Sequence, residues 1–343
     1  MNEAINNGTK QNCRIDWLDL AKGIGILCVV FGHTQIPYFS EFFIYPFHVP
    51  LFFILSGFCF KIKENETFLI FLINKVKTLL VPYTFFSFIW IIYECVNKAI
   101  NDGINVRFVL AEFYMYLKQD HLHAIWFITC IFVLKLIAYF IVKYCNYKNP
   151  ILVLVAMGFV VLTIIYKAYV DIQLPWNVEI VLPAMPFFLS GYLLKQNKKL
   201  FDIAFNFKYV LLYFLTYISI GAINFIVFDG NNIDMYSGRY GNIFLFYIAA
   251  ILGSAFVIGL SIKLSKICFV NYIGKNSLII FSLHQIVFYI VRDIFNNVTN
   301  TIMFLLVELS CFVVSISVCC LFNELIKKTH LAFFINGCKV REE

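Results

Sequence analysis

Charge is scarce in this sequence. Only 14% of its 343 residues are Asp, Glu, Lys or Arg, against about a quarter in an ordinary soluble domain. With 61% hydrophobic residues and a mean hydropathy of +0.82, that shortage excludes a soluble globular chain. There is also no proline- or glycine-rich linker, no low-complexity tract and no visible internal repeat, which argues for one continuous domain. Cys-x-x-Cys pairs are missing from the 11 cysteines, so zinc-ribbon and dithiol redox motifs are not indicated. Most of the cysteines, such as Cys28, Cys130, Cys311 and Cys319, lie inside apolar runs. The first apolar run carries Asp19 and Lys22 and has no small-residue cleavage site after it. It is expected to be a retained helix and not a cleaved leader.

What the chain does have is a series of apolar runs, each about long enough to cross a bilayer core. They predict an all-α, polytopic integral membrane protein with about ten transmembrane helices in one bundle. The expected spans are 17–36, 43–60, 79–96, 125–142, 150–166, 178–194, 209–228, 242–262, 276–294 and 301–321. A tail over 1–16 and another over 322–343 flank a membrane domain over 17–321.

The net charge of +7 would hint at nucleic acid in a soluble protein. Here the positive charges sit between the apolar runs, where they set topology. With the N-terminus inside, every inside loop is basic: Lys61 and Lys63, Lys75 and Lys77, Lys143 and Lys148, Lys195 to Lys199, Lys263 to Lys275, Lys327 and Lys328. The outside segments and helix ends hold only Lys98, Arg107, Lys118, Lys167, Arg239 and Arg292. The expectation is a plasma-membrane protein with both termini cytoplasmic and no nucleic-acid partner. Two longer outside loops follow, 97–124 with Tyr114, Tyr116, His121 and His123, and 229–241, rich in Gly, Asn and Asp. Such loops either line the mouth of a polar site or simply connect helices.

The first span carries a polar line. Lys22 and His33 are eleven residues apart, just over three turns, so they share a helix face about 16 Å apart. Asp19 lies about one turn below Lys22, close enough to pair with it. Charged groups in a bilayer face a cavity or a partner, though an ion pair with a snorkelling lysine would also account for Asp19 and Lys22. His33 is embedded in apolar sequence, and an imidazole titrates near neutrality, which suits a general base. The second span opens Tyr45-Pro46-Phe47-His48-Val49-Pro50-Leu51-Phe52-Phe53 and returns the chain beside the end of the first, so His48 can meet His33. Ser56 and Gly57 read as packing residues. His284, preceded by Ser282 in the ninth span, can line the same cavity or serve helix-to-helix hydrogen bonding. Trp126 suits either sugar stacking or the interfacial aromatic belt. Lys135, Glu94 and Glu308 are also intramembrane, and Glu308 and Glu94 are the acidic partners expected for Lys135. A polysaccharide or lipid-linked sugar transporter, or a membrane scaffold for glycan assembly, would also suit such a bundle, although no paired broken helices are visible.

These pieces resemble the acyltransferase family 3 of membrane O-acyltransferases. The resemblance rests on Arg14-Ile15-Asp16-Trp17-Leu18-Asp19-Leu20-Ala21-Lys22-Gly23 followed by His33, and on Phe47-His48-Val49-Pro50-Leu51-Phe52-Phe53 with Ser56-Gly57. Val81-Pro82-Tyr83, Trp126-Phe127 and Tyr272-Ile273-Gly274-Lys275-Asn276-Ser277-Leu278 with His284 extend it from about residue 14 to 321. The branch of fucose 4-O-acetylases is the nearest. The resemblance implies transfer of an acyl group, usually acetyl, from acyl-CoA to a hydroxyl of a sugar or cell-surface polysaccharide. Acyl-CoA would be a donor substrate and not a bound cofactor, and no metal is implied. The glycan acceptor, the bilayer and the polysaccharide-synthesis machinery are the other partners implied. The family's first-helix arginine position is Lys22 here, and its basic pair before the third helix is Lys75 and Lys77. Lysine can meet phosphate as a point charge, so Lys22, Lys75 and Lys77 are the acyl-CoA-binding candidates. His33, His48 and Asp19 are the catalytic candidates, with His284, Trp126 and Ser282 in the substrate pocket. His33 would accept the acceptor's proton, and a transient acyl-histidine is the second route left open.

Overall fold

A computed structural model describes residues 15–36, 43–119, 123–145, 148–228, 230–231, 233–295 and 300–336. Arg14 and His121, singled out above, lie outside these residues, as do Lys10, Lys339 and Arg341. The described chain is helical, with only an isolated bridge between Asp234 and Arg239 in extended pairing. In order, the helices are α1 (Asp16–Gly32), α2 (His48–Phe58), α3 (Phe68–Lys75), α4 (Val81–Asn101) and α5 (Val106–Lys118). They continue with α6 (Trp126–Tyr144), α7 (Asn149–Tyr169), α8 (Val178–Gln196), α9 (Lys198–Ala204) and α10 (Val210–Val227). The last are α11 (Ile243–Leu264), α12 (Cys268–Lys275), α13 (Ser277–Ile294), α14 (Thr301–Lys327) and α15 (Ala332–Asn336).

Eight continuous helical stretches are long and apolar enough to span a bilayer. Together with α1 and α2 they match the ten expected spans in order, so the chain is a multi-pass, all-α membrane protein. Two differences matter. The second expected span, 43–60, is an 11-residue helix beginning only at His48. At 1.5 Å per residue it covers about 16 Å, roughly half the hydrocarbon thickness. Residues 44–47 are turns, so His48 stands at a helix start, and it is buried. The third expected span, 79–96, is the upper part of a continuous 34-residue stretch, Phe68–Asn101. A five-residue π-helical turn, Val76–Leu80, joins α3 to α4 there and carries Lys77.

The core has two apolar clusters. One gathers α2, α6, α8 and α11 around Phe53, Leu134, Phe188 and Phe246; the other gathers α4, α13 and α14 around Phe86, Trp90, Ile280 and Cys311. Helix α1 runs between them and packs against α2, α11, α12, α13 and α14. Two contacts bring backbones together and explain glycines in the motifs. A Cβ added at Gly274 would lie 1.8 Å from the Asp19 carbonyl oxygen, and one at Gly57 would lie 1.8 Å from that of Phe188. Small residues at such crossings let membrane helices gain dispersion contacts that lipid cannot supply.

Candidate active site

At the end where α1 terminates, a cavity of about 400 Å³ opens among α1, the start of α2, the segment before α6, the 233–241 hairpin and α13. Its wall includes His33, His48, His123, Trp126, Asp234 and Gln285. Each side chain is placed by a recognisable local device. His33 follows the last residue of α1, where carbonyls have no intrahelical partner. Tyr45 Oη donates to the Gly32 carbonyl at 2.9 Å, and an Arg292 terminal amine donates to the His33 carbonyl at 2.9 Å. Arg292 in turn forms a two-point pair with Glu308, from Nε at 2.9 Å and from the terminal amine at 2.7 Å. Glu308 also accepts the backbone N–H of Gln35 at 2.8 Å. An ion pair between α13 and α14 therefore pins the chain at His33 and just after it.

The side chain of His33 meets Gln285, whose Nε2 lies 3.3 Å from His33 Nδ1. Gln285 Oε1 accepts the Ala124 N–H at 2.8 Å, which fixes the amide's orientation. His48 turns Nδ1 toward the Ile44 carbonyl at 3.0 Å and packs edge-on against Tyr45, with ring centroids 5.2 Å apart. Asp234 lies within electrostatic reach of His48. It is held by its own turn, in which its carboxylate accepts the N–H groups of Tyr236 and Ser237 at 3.0 and 3.2 Å. His123 stacks on Trp90 at 3.6 Å and sits 3.5 Å from Glu94. Trp126 faces Tyr236 at 5.1 Å between centroids.

The sequence candidates divide between this cavity and other places. His33, His48 and Trp126 share the wall, and the hairpin within the 229–241 loop and His123 of the 97–124 loop complete it. His284 stands behind His33, with ring centroids 5.0 Å apart, and is fully buried. Ser282 is not on the wall: its hydroxyl donates to the Leu278 carbonyl at 2.8 Å, while its own carbonyl accepts Trp90 Nε1 at 2.9 Å. Asp19, 2% exposed, is fourteen residues from His33, about 21 Å down α1, so it belongs to the opposite end and cannot touch the histidines. The expected pairing of Lys135 with Glu308 or Glu94 does not occur, because Glu308 is taken by Arg292 and Glu94 stands beside His123. Lys135 instead lies within electrostatic reach of Lys75 and Lys22. The ammonium of Lys75 sits over the Phe71 ring at 4.8 Å, and Lys77 is exposed. Among the described residues no group of three His, Cys, Asp or Glu side chains could hold a metal ion.

The arrangement is thus two-ended, with imidazoles on the wall of a cavity at one end of α1 and Lys22, Lys75 and Lys135 within electrostatic reach nearer the other. A family model, that of the acyltransferase 3 domain, matches residues 15–324, nearly the whole chain. The chain belongs to acyltransferase family 3. No curated protein and no solved structure matches it. As a member of that family the protein is a membrane acyltransferase. Gln285 and Asp234 on the wall of this candidate site, and Arg292 beside it, are residues that the sequence reading missed. The available signal for Gln285 was a neutral polar side chain inside an apolar run, next to His284.

Proposed function

We propose that this acyltransferase moves an acetyl or other small acyl group from acyl-CoA to a hydroxyl of a sugar or cell-surface polysaccharide. The observation that carries the reading is His33 and His48 on one wall of a cavity roomy enough for a sugar ring, in a chain of acyltransferase family 3. The bias of the basic residues supports an N-terminus in the cytoplasm of a plasma-membrane protein, with the histidine cavity then toward the outer leaflet. Acyl-CoA then docks from the cytoplasm against Lys22, Lys75 and Lys135, three cations brought together in an apolar bundle. Glu66 lies within electrostatic reach of Lys75, and a CoA diphosphate would bring further negative charge to cations that are costly at such a depth. The thioester arm follows the α1 face toward His33. The acceptor hydroxyl attacks the thioester carbon, its proton passes to an imidazole, and the thiolate leaves with a proton returned to it. Trp126 and Tyr236 offer aromatic faces to a sugar, in line with the likeness to fucose 4-O-acetylases.

The test uses full-length protein in detergent with acetyl-CoA and a panel of free and polymeric sugars. Saturable acetyl-CoA binding weakened in Lys22→Ala, with thioester loss that falls at least about 100-fold in His33→Ala, is the expected result. A folded wild-type protein that neither binds nor consumes acetyl-CoA overturns the proposal and returns the sugar-transporter reading.

A further inference from the structure

We infer that His33 and His48 divide the chemistry of the acyl transfer: His33 donates a hydrogen bond to the thioester oxygen through Nε2–H, and His48 accepts the hydroxyl proton on Nε2. The inference rests on the reaction proposed above, and it departs from the simpler expectation that His33 is the base.

The hydrogen bonds around each ring decide which nitrogen carries the proton. A backbone carbonyl only accepts, so a ring nitrogen facing one must bear hydrogen. His48 Nδ1 faces the Ile44 carbonyl at 3.0 Å, which makes it N–H and leaves Nε2 with the lone pair. His284 Nδ1 faces the carbonyls of Ile280 and Phe281, both at 2.9 Å, so its Nε2 is likewise the basic nitrogen. That Nε2 is buried and has no hydrogen-bond partner among the described residues. His33 is the opposite case. Gln285 uses its oxygen on the Ala124 N–H and so presents N–H groups to His33 Nδ1 at 3.3 Å. A donor there requires a lone pair on Nδ1 and hydrogen on Nε2. The imidazole behind it, His284, makes no hydrogen bond through Nε2 among the described residues and so does not compete for the His33 proton.

The cavity wall therefore presents one imidazole donor and one imidazole acceptor. With Nδ1 engaged by Gln285, His33 has no free lone pair for a hydroxyl proton, and its Nε2–H is the group left to donate to a carbonyl oxygen that becomes an oxyanion. His48 has the free lone pair, and Asp234 on the same wall lies within electrostatic reach of it, so its carboxylate stabilises the imidazolium that forms. In the step, the hydroxyl oxygen bonds to the thioester carbon and its proton moves to His48 Nε2. The oxyanion rests on His33 Nε2–H, the C–S bond breaks, and His48 returns the proton to the departing thiolate. Gln285 is a positioning residue: it holds His33 in the donor tautomer.

Two measurements test this. The first needs no turnover. In ¹⁵N-histidine-labelled protein, with His33, His48 and His284 assigned from single His→Gln variants, long-range ¹H–¹⁵N spectra report the protonated nitrogen of each ring. The expected result is Nε2–H for His33 and Nδ1–H for His48 and His284, with His33 becoming a tautomer mixture in Gln285→Met. Nδ1–H on His33 in the wild type overturns the division of roles. The second compares pH–rate profiles of acetyl transfer. His33→Gln keeps an N–H near the Nε2 position and is expected to retain about 1–10% of the rate, since losing an oxyanion donor outright costs about 100- to 1,000-fold. Its profile should still fall on the acid side. His48→Gln should lose about 1,000-fold or more and the acid-side fall with it. The titratable groups facing His48 are Asp234, His33 and Tyr45, so Asp234→Asn serves as the control for a carboxylate origin of that fall. An acid-side fall that disappears in His33→Gln and persists in His48→Gln overturns the inference while leaving the acyltransferase reading intact. Absence of any transfer by wild type overturns the acyltransferase reading instead, and the spectra still decide the tautomers.

Discussion

Replacing Arg292 with alanine should cripple the enzyme from outside the cavity. Glu308 is 1% exposed and Arg292 23%, so the pair is largely removed from water. Arg292→Ala leaves a buried carboxylate with only the Gln35 N–H and strips the His33 carbonyl of its donor. Breaking a buried pair by removing one partner costs about 3–5 kcal/mol, because the remaining charge is uncompensated. At about 2–4 °C per kcal/mol for a chain of a few hundred residues, the melting midpoint in detergent should fall by at least about 5 °C. Activity should fall further than stability predicts, measured well below the new midpoint, because the end of α1 that carries His33 loses one of its two ties to α13 and keeps only that to Gln285. The double variant Arg292→Leu with Glu308→Leu separates the two effects. Replacing both charges by apolar side chains is often neutral or stabilising, so it should recover most of the midpoint while the missing donor to His33 keeps activity low. An Arg292→Ala midpoint within about 1 °C of wild type, or a double variant as unstable as the single, would refute the reasoning.

Other expectations follow from the same contacts. Gly274→Ala should destabilise the protein by more than the usual 1–3 kcal/mol of an overpacked site, since its Cβ meets the Asp19 backbone. Gly158→Ala, where no atom lies within 4 Å of the new Cβ, should be neutral in the same thermal assay. Lys135→Met should raise the melting midpoint of the empty protein by removing a cation from beside Lys75 and Lys22. It should also weaken acetyl-CoA binding about tenfold, the equivalent of about 1.4 kcal/mol by calorimetry. Trp126→Ala, on the wall facing Tyr236, should raise the KM for the sugar acceptor more than that for acetyl-CoA.

The order of helices was legible because apolar runs of bilayer length leave few alternatives. The Gly57 contact was legible too, since small residues in membrane helices have narrow uses. The length of α2 was hidden. Residues 43–60 are apolar almost throughout, and an apolar run does not say where its helix begins when the bundle interior also accepts turns. Arg292 was counted with the charges that set topology, because its partner Glu308 lies sixteen residues away on the next helix. Asp234 and His123 came from loops whose polarity suits open solvent equally well. Only the fold turns them into the cavity.

The distribution of polar groups along α1 explains why an acyltransferase would use this helix as its axis. The proposed transfer between an acyl-CoA donor on one face and a glycan on the other would have to bring two sites within one thioester arm without opening a continuous aqueous path. Lys22 and the imidazole cavity lie about 16 Å apart along one helix, and α1 packs on α2, α11, α12, α13 and α14 between them. The half-length α2 is the complementary device. By starting at His48 inside the bundle it leaves room for the cavity and sets the second imidazole beside the first. A helix of full span in that position would fill the space with side chains, and His48 would sit at the interface. Lengthening α2 at its start, by replacing Pro46 and the turn before it with strong helix formers, is therefore expected to abolish transfer while leaving acetyl-CoA binding at the lysine end unchanged. Loss of both together would show that the two ends do not act as separable sites.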